Sequence, residues 1–262
     1  GMDAWIYDEN GWPSGFVGGK LLENESFRAR YLEYTAGEFD ESAFAAYVKD
    51  DKQGFVRVTE KQAGISEYHN VYLRVSPANT DILNPDVTDA FIRETHEKYY
   101  ERFKEYFGKE LAGFFTDEPQ YYRWGTPYTP AAEAEFEKDG EDIREGLIWL
   151  FVHDERGYRF REKYYKTLNK LYVENFYKKI YDWCGAHNCK LTGHSVEEVA
   201  LYTQMWGGAA VMPSYEYEDI PGMDCLGRFC CTELPVKQVA NAAEQLGKKR
   251  VLTETFGCSG YD

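Results

Sequence analysis

Apolar and polar positions change their rhythm along the chain. Ala4-Trp5-Ile6-Tyr7-Asp8 is a short apolar run ending in an acid, which predicts a buried strand that opens into a loop. Loop 9–19 is rich in glycine and contains Pro13, so an irregular path is expected there. Residues 29–36, 54–59 and 70–76 predict further strands. Val56 and Val58 alternate with Arg57, and Val71, Leu73 and Val75 alternate with Tyr72 and Arg74. That period of two predicts a half-exposed antiparallel excursion after the first strand.

From Asn84 the period lengthens. Asn84-Pro85-Asp86 is a helix start, with asparagine as the cap and proline at the first helical position. This helix is expected to run to Phe107 and stop at Gly108. The run from Leu111 to Phe115 predicts a strand ending at Thr116-Asp117-Glu118-Pro119. Tyr165, Leu168, Leu171, Tyr172, Phe176 and Ile180 stand at helical spacing and predict a long helix over 158–183, stopping near Gly185. A strand over 190–192 leads to Gly193-His194, and a short helix and a strand near 210–212 follow. A helix over 236–246 ends at Gly247, and a last strand over 250–253 ends at Glu254.

This alternation predicts parallel βα units. The fold class expected is α/β, a (β/α) TIM-type barrel, in a single domain over 1–262. About five barrel-type strands are visible where a closed barrel needs eight, so either further strands escape the pattern or the barrel is incomplete and the chain is a piece of a larger enzyme. A doubly wound open sheet shows the same alternation. No glycine-rich phosphate loop follows any strand, however, so a nucleotide site is not expected.

The formal net charge of −15 argues against nucleic acid or an anionic membrane as partner. No apolar run approaches bilayer length. Gly1 ahead of Met2 reads as a remnant of tag cleavage. The compartment stays open between the cytoplasm and a secreted or periplasmic location with its signal removed. Aromatic residues reach 17%, with 22 Tyr, 16 Phe and 6 Trp. Their flat faces and polar tips suit either sugar rings or the packing of large helices. The six cysteines form no paired CxxC pattern and read as free, mostly buried thiols, with a local Cys184–Cys189 disulfide as the alternative.

Several predicted strands end in polar residues: Asp8, Asp117-Glu118, His194 and Glu254. In (β/α) barrels such strand ends build the active site. Adjacent side chains on a strand point to opposite faces, so without a kink only one of Asp117 and Glu118 enters the mouth. Glu118 has the longer reach, which leaves Asp117 to hold a neighbouring group. A solvated acidic turn is the alternative. Glycoside hydrolysis needs one carboxylic acid to protonate the leaving oxygen and a second carboxylate as nucleophile or base, in unlike environments. Glu118 and Glu254 are the expected catalytic pair. Asp8, Trp12, Asp117, Tyr121, His194, Trp206, Tyr215 and Glu216 are the expected substrate-binding residues, with Tyr122 and Trp124 as further stacking candidates. His194 would bond a sugar hydroxyl or orient a glutamate, or serve the structure alone. Glu197 and Glu198 read as acids in a first helical turn. Tyr215, Glu216, Glu218, Asp219 and Asp224 surround Ile220-Pro221-Gly222 in an acidic loop that could bind sugar hydroxyls or calcium, although no EF-hand spacing is present. No dedicated metal site and no other cofactor is expected.

Four segments together resemble glycoside hydrolase family 106, the large bacterial α-L-rhamnosidases. They are Tyr7-Asp-Glu-Asn-Gly-Trp-Pro-Ser-Gly15; Asn84-Pro85 leading to Thr95-His96-Glu97-Lys98-Tyr99-Tyr100; Phe115-Thr-Asp-Glu-Pro119; and Ile220-Pro-Gly-Met-Asp224. The resemblance implies a (β/α) barrel, hydrolysis of a terminal rhamnose-like sugar from an oligo- or polysaccharide, an inverting mechanism, and Glu118 and Glu254 as its acid and base. It places them after the fourth and seventh strands, with the strands near 190 and 211 as fifth and sixth. The first, second and eighth strands would then be missing, exposing two sheet edges that a second copy of the chain or an unusual helix could cover. A non-catalytic carbohydrate-binding remnant of such a barrel is the alternative. A metal-dependent hydrolase built on His194 is a third reading, weakened by a total of five histidines.

Overall fold

The computed structural model describes residues 2–226, 232–255 and 257. In chain order the strand β1 (Ala4–Tyr7) is followed by β2 (Arg28–Gly37), β3 (Ala45–Asp50), β4 (Gly54–Val58) and β5 (Tyr68–Thr80). Helix α1 (Pro85–Phe91) passes through a π-helical turn (Ile92–His96) into α2 (Glu97–Phe103). Next come β6 (Leu111–Asp117), β7 (Thr126–Tyr128) and α3 (Pro130–Lys138). Helix α4 (Tyr158–Tyr172) passes through a second π-helical turn (Val173–Tyr177) into α5 (Lys178–Ala186). The chain continues through β8 (Lys190–His194), α6 (Leu201–Gly207), β9 (Gly222–Cys225), α7 (Leu234–Gln245) and β10 (Leu252–Thr255).

The expected TIM-type barrel is not what forms. No closed barrel exists among the described residues. The strands divide into a parallel sheet of order β1-β6-β8, a parallel pair β9-β10, and a five-stranded antiparallel sheet of order β4-β3-β5-β2-β7. Two physical reasons account for the difference. The period-two segments between Arg28 and Thr80 pair with one another, so the largest sheet is the antiparallel one. The parallel run is also interrupted, because β8 meets the segment before β9 only through an isolated Thr192–Ile220 bridge.

The strand expected near 210–212, and with it the count of fourth to seventh strands, is likewise corrected. The Asn169 side-chain amide donates to the Gly208 carbonyl at 2.6 Å and the Ala210 carbonyl at 3.0 Å, occupying acceptors that a ladder would use. The strand forms later, at β9. The antiparallel excursion is present as expected, with β3 added. Ala45, Ala46, Tyr47 and Val48 are all buried, so β3 shows no alternation by which to recognise it.

Local chemistry explains the helices. Asn84 Oδ1 accepts the Asp86 N–H at 3.0 Å, with Pro85 opening α1. Tyr164, Leu168, Leu171 and Tyr172 form the buried stripe of α4. One apolar cluster joins both larger sheets, running from Leu32, Tyr47 and Val71 through Phe91 and Phe176 to Phe114 and Leu191. Cys184 and Cys189 are buried thiols with no disulfide between them, and the Cys189 thiol donates to the Cys184 carbonyl. Cys230, Cys231 and Cys258 lie outside the described residues. No helix among the described residues is long and apolar enough to cross a membrane.

Three glycines allow the parallel strands to approach. A Cβ on Gly113 would lie 2.0 Å from the Lys190 carbonyl oxygen, one on Gly193 would lie 2.2 Å from that of Thr116, and one on Gly222 would lie 1.9 Å from that of Gly193. Backbone cannot yield as a side-chain tip can. Gly193→Ala is therefore expected to lower unfolding free energy by about 3 kcal/mol in denaturant titration. Gly185→Ala in α5, whose Cβ meets nothing within 4 Å, should hold or gain up to about 1 kcal/mol. Equal stability of the two variants would contradict the close-approach argument.

Candidate active site

The site is built up from Asp8 and Glu9, where β1 ends. The Glu9 carboxylate accepts the backbone N–H groups of Asn10, Gly15, Phe16, Val17 and Gly18 at 2.6 to 3.1 Å. Gly15, Val17, Gly18 and Gly19 have positive φ, so this loop curls its amides onto one anion. Asp8 fixes the same loop at Ser14, whose Oγ donates to Asp8 Oδ1 at 2.6 Å. Ser14 also pairs with β6: its N–H donates to the Asp117 carbonyl at 2.8 Å, and its Oγ accepts the Asp117 N–H at 2.8 Å.

Asp8 is fully buried and lies 3.8 Å from the equally buried His96. Burial pushes the Asp8 carboxyl up to about 8 and the His96 imidazole down to about 3. The two face each other as neutral groups near pH 7. Asp8 thus supports the mouth from beneath and does not open onto it.

At the end of β6 the backbone kinks. Glu118 has φ 45°, a left-handed conformation costly for a non-glycine residue, roughly 1–3 kcal/mol. The kink lets consecutive carboxylates face the same partner. Asp117 Oδ1 lies 3.5 Å from His194 Nε2, and Glu118 also reaches a His194 nitrogen within 4.8 Å. Two donors hold these acids: the Tyr7 hydroxyl donates to Asp117 Oδ2 at 2.5 Å, and Trp12 Nε1 donates to Glu118 Oε2 at 2.9 Å.

His194, only 1% exposed, is the hub. Its Nε2 lies 2.7 Å from Glu254 Oε2. Burial opposes a charge on this ring, but the Glu254 hydrogen bond and the charges of Glu198, Asp117 and Asp224 outweigh it and raise His194 to about 9. The same hydrogen bond holds Glu254 below the usual carboxylate range. Burial lifts Glu118 to about 7, against the pull of His194 and Trp12. Glu198, which is also buried, accepts the Ser195 N–H at 3.2 Å and the Asp224 N–H at 2.8 Å, tying the end of β8 to β9. Burial lifts it to about 7 and Glu218 to about 8.

The structure therefore brings Asp117, Glu118, His194 and Glu254 together, with Trp12 beside them and Asp8 behind. It places the other expected binding residues elsewhere. Tyr121 is buried, with its hydroxyl donating to the Met205 carbonyl. Tyr215 is also fully buried, behind Glu198 and Glu218. Glu216 is exposed on the far side of its turn, where its carbonyl accepts Lys248 Nζ. Trp206 is half-exposed on α6, against Tyr202. Sequence reasoning missed Glu198, which it assigned to a helical turn. It also missed the supporting roles of Glu9 and Ser14. The glycine pattern of loop 9–19 was the available signal for that pair.

Among the described residues, two groups of donors could hold a metal ion, Asp117-His194-Glu254 and Glu118-His194-Asp224, each with ligand atoms within 4.8 Å of one another. Both need His194. The acidic loop expected to bind calcium supplies only Asp224 to such a group. Asp219 is engaged with the Leu191 N–H, and Glu218 with Ser214 and the Gly222 N–H.

No protein-family model and no curated protein matches this chain. Among solved structures, a rhamnosidase from Novosphingobium sp. PP1Y is similar, with a TM-score of 0.54 and 19% identity over 79% of this chain. The chain spans 22% of that protein's length. At this identity the likeness is one of fold.

The buried acids set a pH dependence. A carboxyl with a raised folded pKa binds its proton more tightly in the fold. It therefore favours folding below the unfolded value of about 4.3 and loses that advantage as pH rises through the folded value. His194, raised to about 9, acts in the same sense between about 6.5 and 9. His96, lowered to about 3, acts in the opposite sense up to about 6.5, but the raised acids and His194 outnumber it, so unfolding free energy is expected to fall from pH 5 to pH 9, most steeply above about 6.5. Glu218→Gln removes one titration centred near 8 and should make that fall shallower. A stability that rises over this range, measured by denaturant titration, would contradict the assignment.

Proposed function

We propose that the chain carries the acid–base centre of a glycoside hydrolase that removes a terminal, rhamnose-like sugar from an oligo- or polysaccharide. The observation that carries this reading is the meeting of Glu118 and Glu254 at one buried imidazole in unlike settings. Glu118 is partly desolvated, with Trp12 as its hydrogen-bond donor, whereas Glu254 is paired to His194. Glu118 is the general acid that protonates the leaving oxygen. Glu254 is the base that takes a proton from the attacking water, and His194 holds Glu254 in its charged form. Asp117, fixed by Tyr7 and Ser14, is poised to bond a sugar hydroxyl. Inversion at the anomeric carbon belongs to this reading through the family resemblance, and the fold likeness to a rhamnosidase supports the choice of sugar.

A bound divalent cation, calcium among them, is the alternative reading, in which Glu118 and His194 would be deprotonated ligands and not the acid and the partner of Glu254. It is favoured by the convergence of Glu118, His194 and Asp224. Loss of activity in EDTA, with recovery on adding calcium, would support it.

Glu118→Gln is expected to slow hydrolysis of a rhamnoside with a poor leaving group by about 10²–10⁴-fold while largely sparing an activated aryl rhamnoside. Glu254→Gln should slow both. Equal losses with both substrates for Glu118→Gln would remove it from the acid role. A first-formed product of retained configuration, read by proton NMR, would remove the inverting assignment.

A further inference from the structure

Segment 121–124 leaves the mouth of β6 and is fixed at its first two residues. Tyr121 is buried, and Tyr122 stacks on Tyr31 of β2 with ring centroids 4.4 Å apart and planes 12° from parallel. The next two residues stand at the mouth. The Arg123 guanidinium lies 4.4 Å from the ring centroid of Trp124 and 5.4 Å from that of Trp12. Its Nη1 donates to Glu197 Oε1 at 2.8 Å. The cation is thus already paired, and its main effect is to hold two indoles in place. Those indoles remain open to solvent, Trp124 at 65% and Trp12 at 44%.

Their position relative to Glu118 gives the pair a meaning. A general acid must come within about 3 Å of the oxygen it protonates. Trp12 Nε1 already lies 2.9 Å from Glu118 Oε2. Whatever is bonded to that oxygen on the departing side is therefore laid beside Trp12 and its neighbours. Indole faces bind flat rings that carry an apolar surface, such as a pyranose or an aryl group.

We infer that Trp12, Arg123 and Trp124 form a leaving-group subsite that stacks the ring attached to the scissile oxygen. The site would then favour a glycoside whose departing group is a second sugar or an aryl aglycone over one with a small departing group. This rests on Glu118 being the acid of the proposed hydrolase.

The test uses the Glu118→Gln/Glu254→Gln double variant, in which the amide oxygen at position 118 still accepts from Trp12 while loss of the base also stops the activated aryl glycoside, so that binding is read without turnover. Calorimetry would compare L-rhamnose, p-nitrophenyl α-L-rhamnoside and the disaccharide rutinose. At least one ring-bearing ligand is expected to bind about tenfold or more tightly than L-rhamnose. Adding Trp124→Ala should erase most of that advantage without changing the affinity for L-rhamnose, and Trp124→Phe should keep it. A gain confined to rutinose identifies a sugar as the occupant, and one confined to the nitrophenyl glycoside identifies an aryl group. Equal binding of all three, unmoved by Trp124→Ala, overturns the subsite and leaves the hydrolase reading standing. Failure of all three to bind overturns the rhamnoside reading and the subsite with it.

Discussion

The mouth of the site stands on one carboxylate that never faces it. Glu9 gathers five backbone N–H groups of the loop that follows β1, while the adjacent Asp8 holds the same loop at Ser14. Without that anion, amides turned inward by positive φ would need water or remain unpaired, at about 1–3 kcal/mol for each one left buried. Two consecutive acids thus give the loop a fixed shape. From that shape come the Trp12 bond to Glu118 and the Ser14 bridge to Asp117. A glycine-rich stretch that would otherwise wander becomes a rigid wall.

The second constraint is electrostatic. Asp117, Glu118, Glu198, Asp224 and Glu254 surround one imidazole in a partly dry pocket. Like charges at such spacing cannot all persist where the dielectric is low. The local partners decide which acids keep their protons. Glu254 has the direct bond to His194 and stays ionised. Glu118 has an indole N–H and the greater desolvation, and titrates near neutrality. The unequal hold of the two on a proton is thus a property of burial and hydrogen bonding, since both residues are glutamates.

Much of this was legible in the chain and some was not. The strand ends carrying Glu118, His194 and Glu254 could be read from apolar runs that stop at a polar residue, and the helices from capping signals and spacing. The expected barrel was wrong, because alternation of strands and helices does not say which strands pair, and these fall into separate sheets. The Asn169 amide that takes the carbonyls of Gly208 and Ala210 acts from 39 and 41 residues away, beyond the reach of any local pattern. The kink at Glu118 also escaped. Strand alternation forced a choice between Asp117 and Glu118, whereas a single left-handed residue turns both toward His194. Tyr215 and Tyr121 looked like binding residues by type, but burial made them part of the packing.

The pairing of the strands also orders events in time. The antiparallel sheet joins segments close in sequence, with Arg28 to Thr80 supplying four of its five strands. The site joins distant ones: Tyr7 meets Asp117 across 110 residues. Contacts of long sequence separation close slowly, because the entropy of a large loop is lost before they form. A chain emerging from the ribosome holds the residues for its local sheet well before β6 has been synthesised. β1, though made first, must wait for a partner from the middle of the chain. The mouth of the candidate site is thus the part expected to form late, after the local sheet.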